Sequence, residues 1–180
     1  MAKILVAIAD GFEEIEAINI IDICRRADIN VISAGVENKI LTGAHNIKIE
    51  MDKKIDELCS DDFDMIVLPG GLPNAFTLAE DKSVQKLLKE FKVKNKKIAA
   101  ICAAPYALHK AEVLEKNYTC YPSFETKIRL DGYKPNEDVV IDGNIITSRG
   151  PATATKFALE LVKILKGEEI YKSVKDGLLA

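Results

Sequence analysis

The sequence predicts an α/β fold in which a mostly parallel sheet carries helices on both faces. Two observations predict it. Apolar runs of strand length recur at Lys3 to Ile8, Ile29 to Ala34, Met65 to Leu68 and Ile98 to Ile101, each near-continuously hydrophobic, as strands covered on both faces are. Helical patterns alternate with them, the signature of strand–helix–strand units. At 180 residues and 48% hydrophobic, the chain holds enough apolar surface for one well-buried core and is short for two, so a single domain over 1–180 is expected.

In chain order, the first strand leads into a helix over Glu13 to Ala27. Its apolar residues Ile15, Ile18, Ile20, Ile21 and Ile23 fall on more than one side of the helical wheel. The sheet supplies one cover, and an inserted hairpin or a second subunit supplies the other. After the second strand, Val36 to Met51, punctuated by Gly35 and Gly43, reads as that hairpin. Helices are predicted over Ser83 to Lys92 and, after the fourth strand, over Tyr106 to Glu112, with Pro105 suited to a first helical turn. "VVIDGNIITS" is a strand, an Asp-Gly turn and another strand, followed by a helix from about Thr153 to Lys166. There are no repeats and no low-complexity segments.

Composition narrows the function. With 25 basic and 28 acidic residues the net charge is −3, and no basic block tracks a phosphate backbone, so nucleic acid is not an expected partner. No apolar stretch approaches the roughly 20 residues that cross a bilayer. The N-terminal apolar run meets Asp10 and lacks a small-residue cleavage pattern, so it reads as a strand, and the expected location is the cytoplasm. The four cysteines show no CxxC spacing and are expected to be reduced. With two histidines and no paired Cys/His spacing, a dedicated metal site is not expected.

Ligands of open α/β sheets bind beyond the carboxyl ends of the strands, where "ADGFEEIEA", "LPGGLPNA" and "AICAAPYA" converge. Gly70 and Gly71 fit either a plain tight turn or a pair of amides aimed at one point. Cys102 sits at a strand-to-helix joint with Ala100, Ala103 and Ala104 around it. It fits either a buried structural thiol or a nucleophile elbow whose helix amides lower the thiol pKa. Glu16, in line with Ile20 and Ile23, fits either a solvated acidic cap beside Glu13 and Glu14 or a carboxyl kept protonated by apolar surroundings. Surface or packing roles are expected for His45, in the hairpin, and His109.

"ADGFEEIEA", "DICRRADINV", "DMIVLPGG", "IAAICAAP" and "ITSRGPATA" together, in order and spacing over nearly the whole chain, resemble the ThiJ/PfpI family, the superfamily that includes the parkinsonism-associated deglycase. The resemblance implies a flavodoxin-like three-layer sandwich, related to class I glutamine amidotransferase domains, and a homodimer. It implies Cys102 as the reactive thiol, Glu16 as the protonated carboxyl bonded to it, and the Gly71 and Ala103 amides as an anion pocket beside Gly70. Arg26 matches an arginine that approaches the partner subunit's site, and Pro151 a pocket-lining residue. Two departures stand out. Ala103 replaces the histidine that follows the nucleophile in the protease-like branch, and no histidine follows His109, which argues against a protease or amidotransferase triad. In "TCYPSFE", Tyr121 stands before Pro122 where the deglycase branch can carry histidine.

What the resemblance implies is a cysteine-dependent, cofactor-free glyoxalase or deglycase acting on reactive aldehydes such as methylglyoxal, or on glycated adducts. The alternative is an oxidation sensor, protective under oxidative stress, that uses the same cysteine. Cys120, beside Tyr121, is a candidate resolving thiol for an oxidised Cys102 or a bystander.

Overall fold

The computed structural model describes residues 1–180. Seven strands form the main sheet in the order β5-β2-β1-β6-β7-β9-β8. They are β1 (Lys3–Ile8), β2 (Asn30–Gly35), β5 (Lys53–Lys54), β6 (Met65–Leu68), β7 (Lys97–Ile101), β8 (Val139–Asp142) and β9 (Ile145–Ser148), and β3 (Ile40–Thr42) pairs with β4 (Lys48–Glu50) in a separate hairpin. All pairs in the main sheet are parallel except β8 with β9. The helices are α1 (Glu14–Arg26), α2 (Asn74–Glu80), α3 (Lys82–Val93), α4 (Pro105–Lys110), α5 (Glu125–Ile128), α6 (Ala154–Lys166) and α7 (Glu168–Leu178).

Side chains alternate across a strand, and here the alternation builds two cores. Ile4, Val6, Met65, Val67, Ala99 and Ile101 face Ile20 and Ile23 of α1 and Phe157, Ala158 and Leu161 of α6. Leu5, Ala7, Ile66, Leu68, Ile98 and Ala100 face Leu78 of α2, Leu87, Leu88 and Phe91 of α3, and Leu108 of α4. The result is the expected three-layer sandwich. Each fully buried aliphatic or aromatic side chain contributes roughly 1.5–3 kcal/mol of transfer free energy. Asp81 starts α3 by accepting hydrogen bonds from the Ser83 and Val84 amides.

The sheet and α6 cover α1, and Leu41 of the hairpin joins the same core. Ile15 and Ile18 nonetheless remain 54% and 44% exposed. Of the predicted elements, the helix expected over Tyr106 to Glu112 is shorter: as α4 it ends at Lys110, and Glu112 takes a left-handed φ of 60°. No helix is long and apolar enough to cross a membrane.

Candidate active site

The carboxyl ends of β1, β6 and β7 bring their following loops together. Cys102 follows β7 in a left-handed turn, φ 64°, unfavourable for a residue with a Cβ. Two backbone hydrogen bonds hold that turn: the Cys102 amide donates to Ser148 O (2.9 Å), and the Tyr121 amide donates to Cys102 O (2.8 Å). Strain so over-determined by its surroundings is typical of functional positions.

Gly70 follows β6, and a Cβ there would lie 2.6 Å from Cys102 Cβ and 2.8 Å from Glu16 Oε2, so the close approach requires glycine. Its amide donates to Glu16 Oε2 at 2.7 Å. The other carboxyl oxygen, Oε1, is buried with no hydrogen-bond partner, and the Cys102 thiol lies beside the carboxyl. Glu16 is fully buried, and this burial, only partly offset by the Gly70 amide and the thiol, raises its pKa to about 7.

The thiol behaves differently from the sequence-based expectation. Burial, then the charge of Glu16 and the hydrogen bond to it, push Cys102 well above the ordinary thiol value; the Ala103 and Gly71 amides at the sulfur pull the other way and lose. The predicted lowering relied on a helix N-terminus directly after the cysteine. In fact α4 begins only at Pro105 and is six residues long. Cys102 and Glu16 are best treated as one coupled pair, in which the carboxyl gives up its proton first and stands ready to take the thiol's.

A cavity of about 500 Å³ opens over this pair, lined by Glu13, Ala44, His45, Gly71, Leu72, Cys102, Ala103, Tyr121, Ser123, Phe124 and Pro151. Cys102, 8% exposed, forms its floor. A depression of similar volume over α3 is lined by Lys82, Lys86, Lys89, Glu90 and Lys94 among others; it lacks a nucleophile and reads as a solvated helix face.

The chain that builds this site matches the DJ-1/PfpI family model over residues 2–164. The chain belongs to the DJ-1/PfpI family. A protein of Arabidopsis thaliana named Protein DJ-1 homolog B is 39% identical over 180 residues, covering 98% of this chain; the chain spans 41% of that relative's length. A Caenorhabditis elegans protein named glutathione-independent glyoxalase DJR-1.2 is 36% identical over 167 residues, covering 92% of the chain and 89% of the relative. The crystal structure of Drosophila melanogaster DJ-1beta matches with a TM-score of 0.96 at 40% identity, covering 99% of this chain and 98% of that one. The fold is thus the α/β, flavodoxin-like one of the family.

Most of the residues singled out in the sequence meet at this site: Cys102, Glu16, Gly70, Gly71, Ala103, Tyr121 and Pro151 line it or bond to its members. Arg26 does not join them within one chain. It lies at the far end of α1, half exposed, with Nε donating to Asp22 Oδ2 at 2.7 Å. Cys120 is fully buried in the α1–α6 core and does not line the cavity. His109 lies on α4 outside the cavity.

Two residues of the site escaped the sequence reading. Asn74, fully buried at the start of α2, accepts from the Ala9 amide (2.7 Å) and donates to Pro69 O (2.7 Å) and Gly70 O (2.9 Å), tying the loops after β1 and β6 together. His45, exposed as expected and packed on Glu14, also lines the cavity, a position that its place in the sequence does not show. The β3–β4 turn folds over the start of α1, where the His45 amide donates to Glu14 Oε1 (2.7 Å) and its Nδ1 lies 2.9 Å from Glu14 Oε2. Glu13, Glu14 and His45 place ligand-type atoms within 4.8 Å of one another. Glu14's oxygens, however, already take hydrogen bonds from His45 and the Ile47 amide, so their chemistry is that of a hairpin anchor.

Proposed function

We propose that the protein is a cysteine-dependent glyoxalase or deglycase that converts reactive α-oxoaldehydes such as methylglyoxal, needing no glutathione and no metal. The observation that carries this is the Cys102–Glu16 pair: a strained thiol at the floor of an open cavity, next to a buried carboxyl whose pKa is about 7. The name of the nematode relative supports the same chemistry.

The steps follow from the geometry. Cys102 Sγ attacks the aldehyde carbon while its proton passes to the Glu16 carboxylate. This removes the obstacle of a raised thiol pKa, since no free thiolate has to accumulate. The Gly71 and Ala103 amides, already directed at the sulfur, hold the oxygen on which charge develops. Glu16 returns the proton to that oxygen, giving a hemithioacetal. It then takes the remaining hydrogen of the aldehyde carbon as a proton, giving an enediol as the ketone oxygen gains a proton, and returns it to the former ketone carbon while the first carbon's hydroxyl loses its proton and becomes the carbonyl, which leaves a lactoyl thioester. Water cleaves the thioester, releasing lactate and restoring the thiol. On this reading Tyr121 and Pro151 shape the cavity walls and Gly70 orients Glu16.

The exposed Ile15 and Ile18 on α1 support a homodimer through that face, with Arg26 reaching toward the partner's site; light scattering on the wild type and on Ile18→Glu tests it. Methylglyoxal consumption with lactate detection, without glutathione or added metal, tests the activity. Wild type is expected to form lactate and Cys102→Ser to form none; turnover retained by Cys102→Ser would overturn the mechanism.

A further inference from the structure

We propose that His45 is the base that activates the water which releases the acyl group from Cys102, and that Glu14 orients its ring. The proposal rests on the thioester chemistry above and gives its last step a residue. The cavity holds four side chains able to exchange a proton besides Cys102: Glu13, His45, Tyr121 and Ser123. Of these, His45 alone is an imidazole, and its ring is held through Nδ1 by Glu14.

The turn that carries it is stitched to the loop after β1 and to the start of α1. The Thr42 amide donates to Asp10 Oδ1 (2.7 Å), the Gly11 amide to Thr42 O (2.8 Å), the Ala44 amide to Phe12 O (2.8 Å), and the His45 amide to Glu14 Oε1 (2.7 Å). Glu14 is nearly buried, 6% exposed. Burial draws its pKa upward, but hydrogen bonds from the His45 ring and from the Glu14, His45 and Ile47 backbone outweigh this and keep it a carboxylate. With its Oε2 2.9 Å from Nδ1, the neutral ring carries its proton on Nδ1, which leaves Nε2 as the free basic nitrogen. The side chain is 68% exposed whereas Cys102 is 8% exposed, so His45 stands on the solvent side of the cavity, where a hydrolytic water enters.

Balanced, the step is as follows. Nε2 takes a proton from water as the water oxygen bonds to the thioester carbon; the carbon–sulfur bond breaks, and the Cys102 sulfur recovers the proton from Nε2 directly or through Glu16. The charged or titratable groups around His45 are Glu13 and Glu14 at the start of α1, Tyr121 and Cys102 on the other cavity walls, and Glu16 behind Cys102. The hydrogen bond to Glu14 and the charges of Glu13 and Glu14 raise the imidazole above its ordinary 6.5. Thioester release should therefore quicken with rising pH through a midpoint above that value.

The test is a rapid acid quench of wild type, His45→Gln and Glu14→Gln after mixing with methylglyoxal, with mass mapping of Cys102 and lactate measured in parallel. His45→Gln is expected to acylate Cys102 at the wild-type rate and release lactate roughly 100-fold more slowly. The adduct accumulates, hydroxylamine discharges it, and the pH dependence of release is lost. In Glu14→Gln the amide donates to Nδ1 and shifts the ring proton to Nε2, so release slows there too. Unchanged release in His45→Gln, or acylation and release falling by the same factor as a structural defect gives, would overturn the role of His45 alone. Wild type that forms no lactate would overturn this inference together with the proposed activity.

Discussion

Replacing Glu16 with Gln should stabilise the protein at neutral pH while abolishing its turnover. In the folded state the Glu16 carboxyl titrates at about 7, against a value of 4.5 without the protein around it. Between those pH values the folded state binds more protons than the unfolded chain, so this group's contribution to stability is intact below 4.5 and is lost as pH rises through 7. The gap, at about 1.4 kcal/mol per pH unit, is worth about 3 kcal/mol. Because the side chain is fully buried, solvent screening removes little of it. Gln keeps an oxygen for the Gly70 amide and never ionises, so it mimics the protonated carboxyl at every pH. Urea denaturation of wild type and Glu16→Gln should therefore give similar midpoints near pH 4 that diverge by pH 8. The divergence is roughly 1.5 M at an m of about 2 kcal/mol/M, with the variant the more stable. Other titrating groups cancel in the comparison. Parallel pH profiles for the two proteins would refute the reasoning, because they would mean that Glu16 ionises in the folded state as easily as in water.

Asn74→Ala should lose roughly 2–3 kcal/mol by leaving the Ala9 amide without an acceptor and the Pro69 carbonyl without a donor, and should also lower turnover although Asn74 does not line the cavity; denaturation and lactate assays read the two effects. Gly71→Ala should lose both fold stability and activity, since a Cβ there meets the Glu13 amide nitrogen at 2.3 Å with φ at 92°; a variant crystal structure with the loop unmoved would contradict this. Phe91→Ala, on the opposite face of the sheet, should cost about 3–5 kcal/mol and leave the activity of the remaining folded protein unchanged, which separates general stability from the site.

Much of the fold was legible because parallel strands buried on both faces leave an unambiguous apolar run. The first and third predicted strands coincide with β1 and β6, and the other two lie within one residue of β2 and β7. The elements that escaped are those with weak local signals. Seven-residue α2 follows Pro73 without a side-chain cap, α5 has four residues, and α7 buries only Val174. At the site, Cys102 and the diglycine were legible as residue types at strand ends, and Glu16 as a carboxyl in line with the apolar residues of α1. The direction of the Cys102 pKa was not, because it depends on how deeply the turn is buried and on Glu16 lying beside the sulfur. The place of His45 at the cavity was not legible for a similar reason. It reaches the cavity through a hairpin docked onto Glu14, a contact between residues 31 positions apart that no local pattern encodes. Asn74, bonded to Ala9 across 65 positions, is the same kind of case.

The central claim is that Cys102, coupled to Glu16, is the nucleophile although Cys59 is the exposed thiol. Acid quenching during methylglyoxal turnover, followed by mass mapping of all four cysteines, tests it most directly. The account predicts an adduct on Cys102 that forms and decays at the rate of lactate production and is absent from Glu16→Gln. An adduct confined to Cys59, or lactate production with Cys102 unmodified throughout, would contradict it.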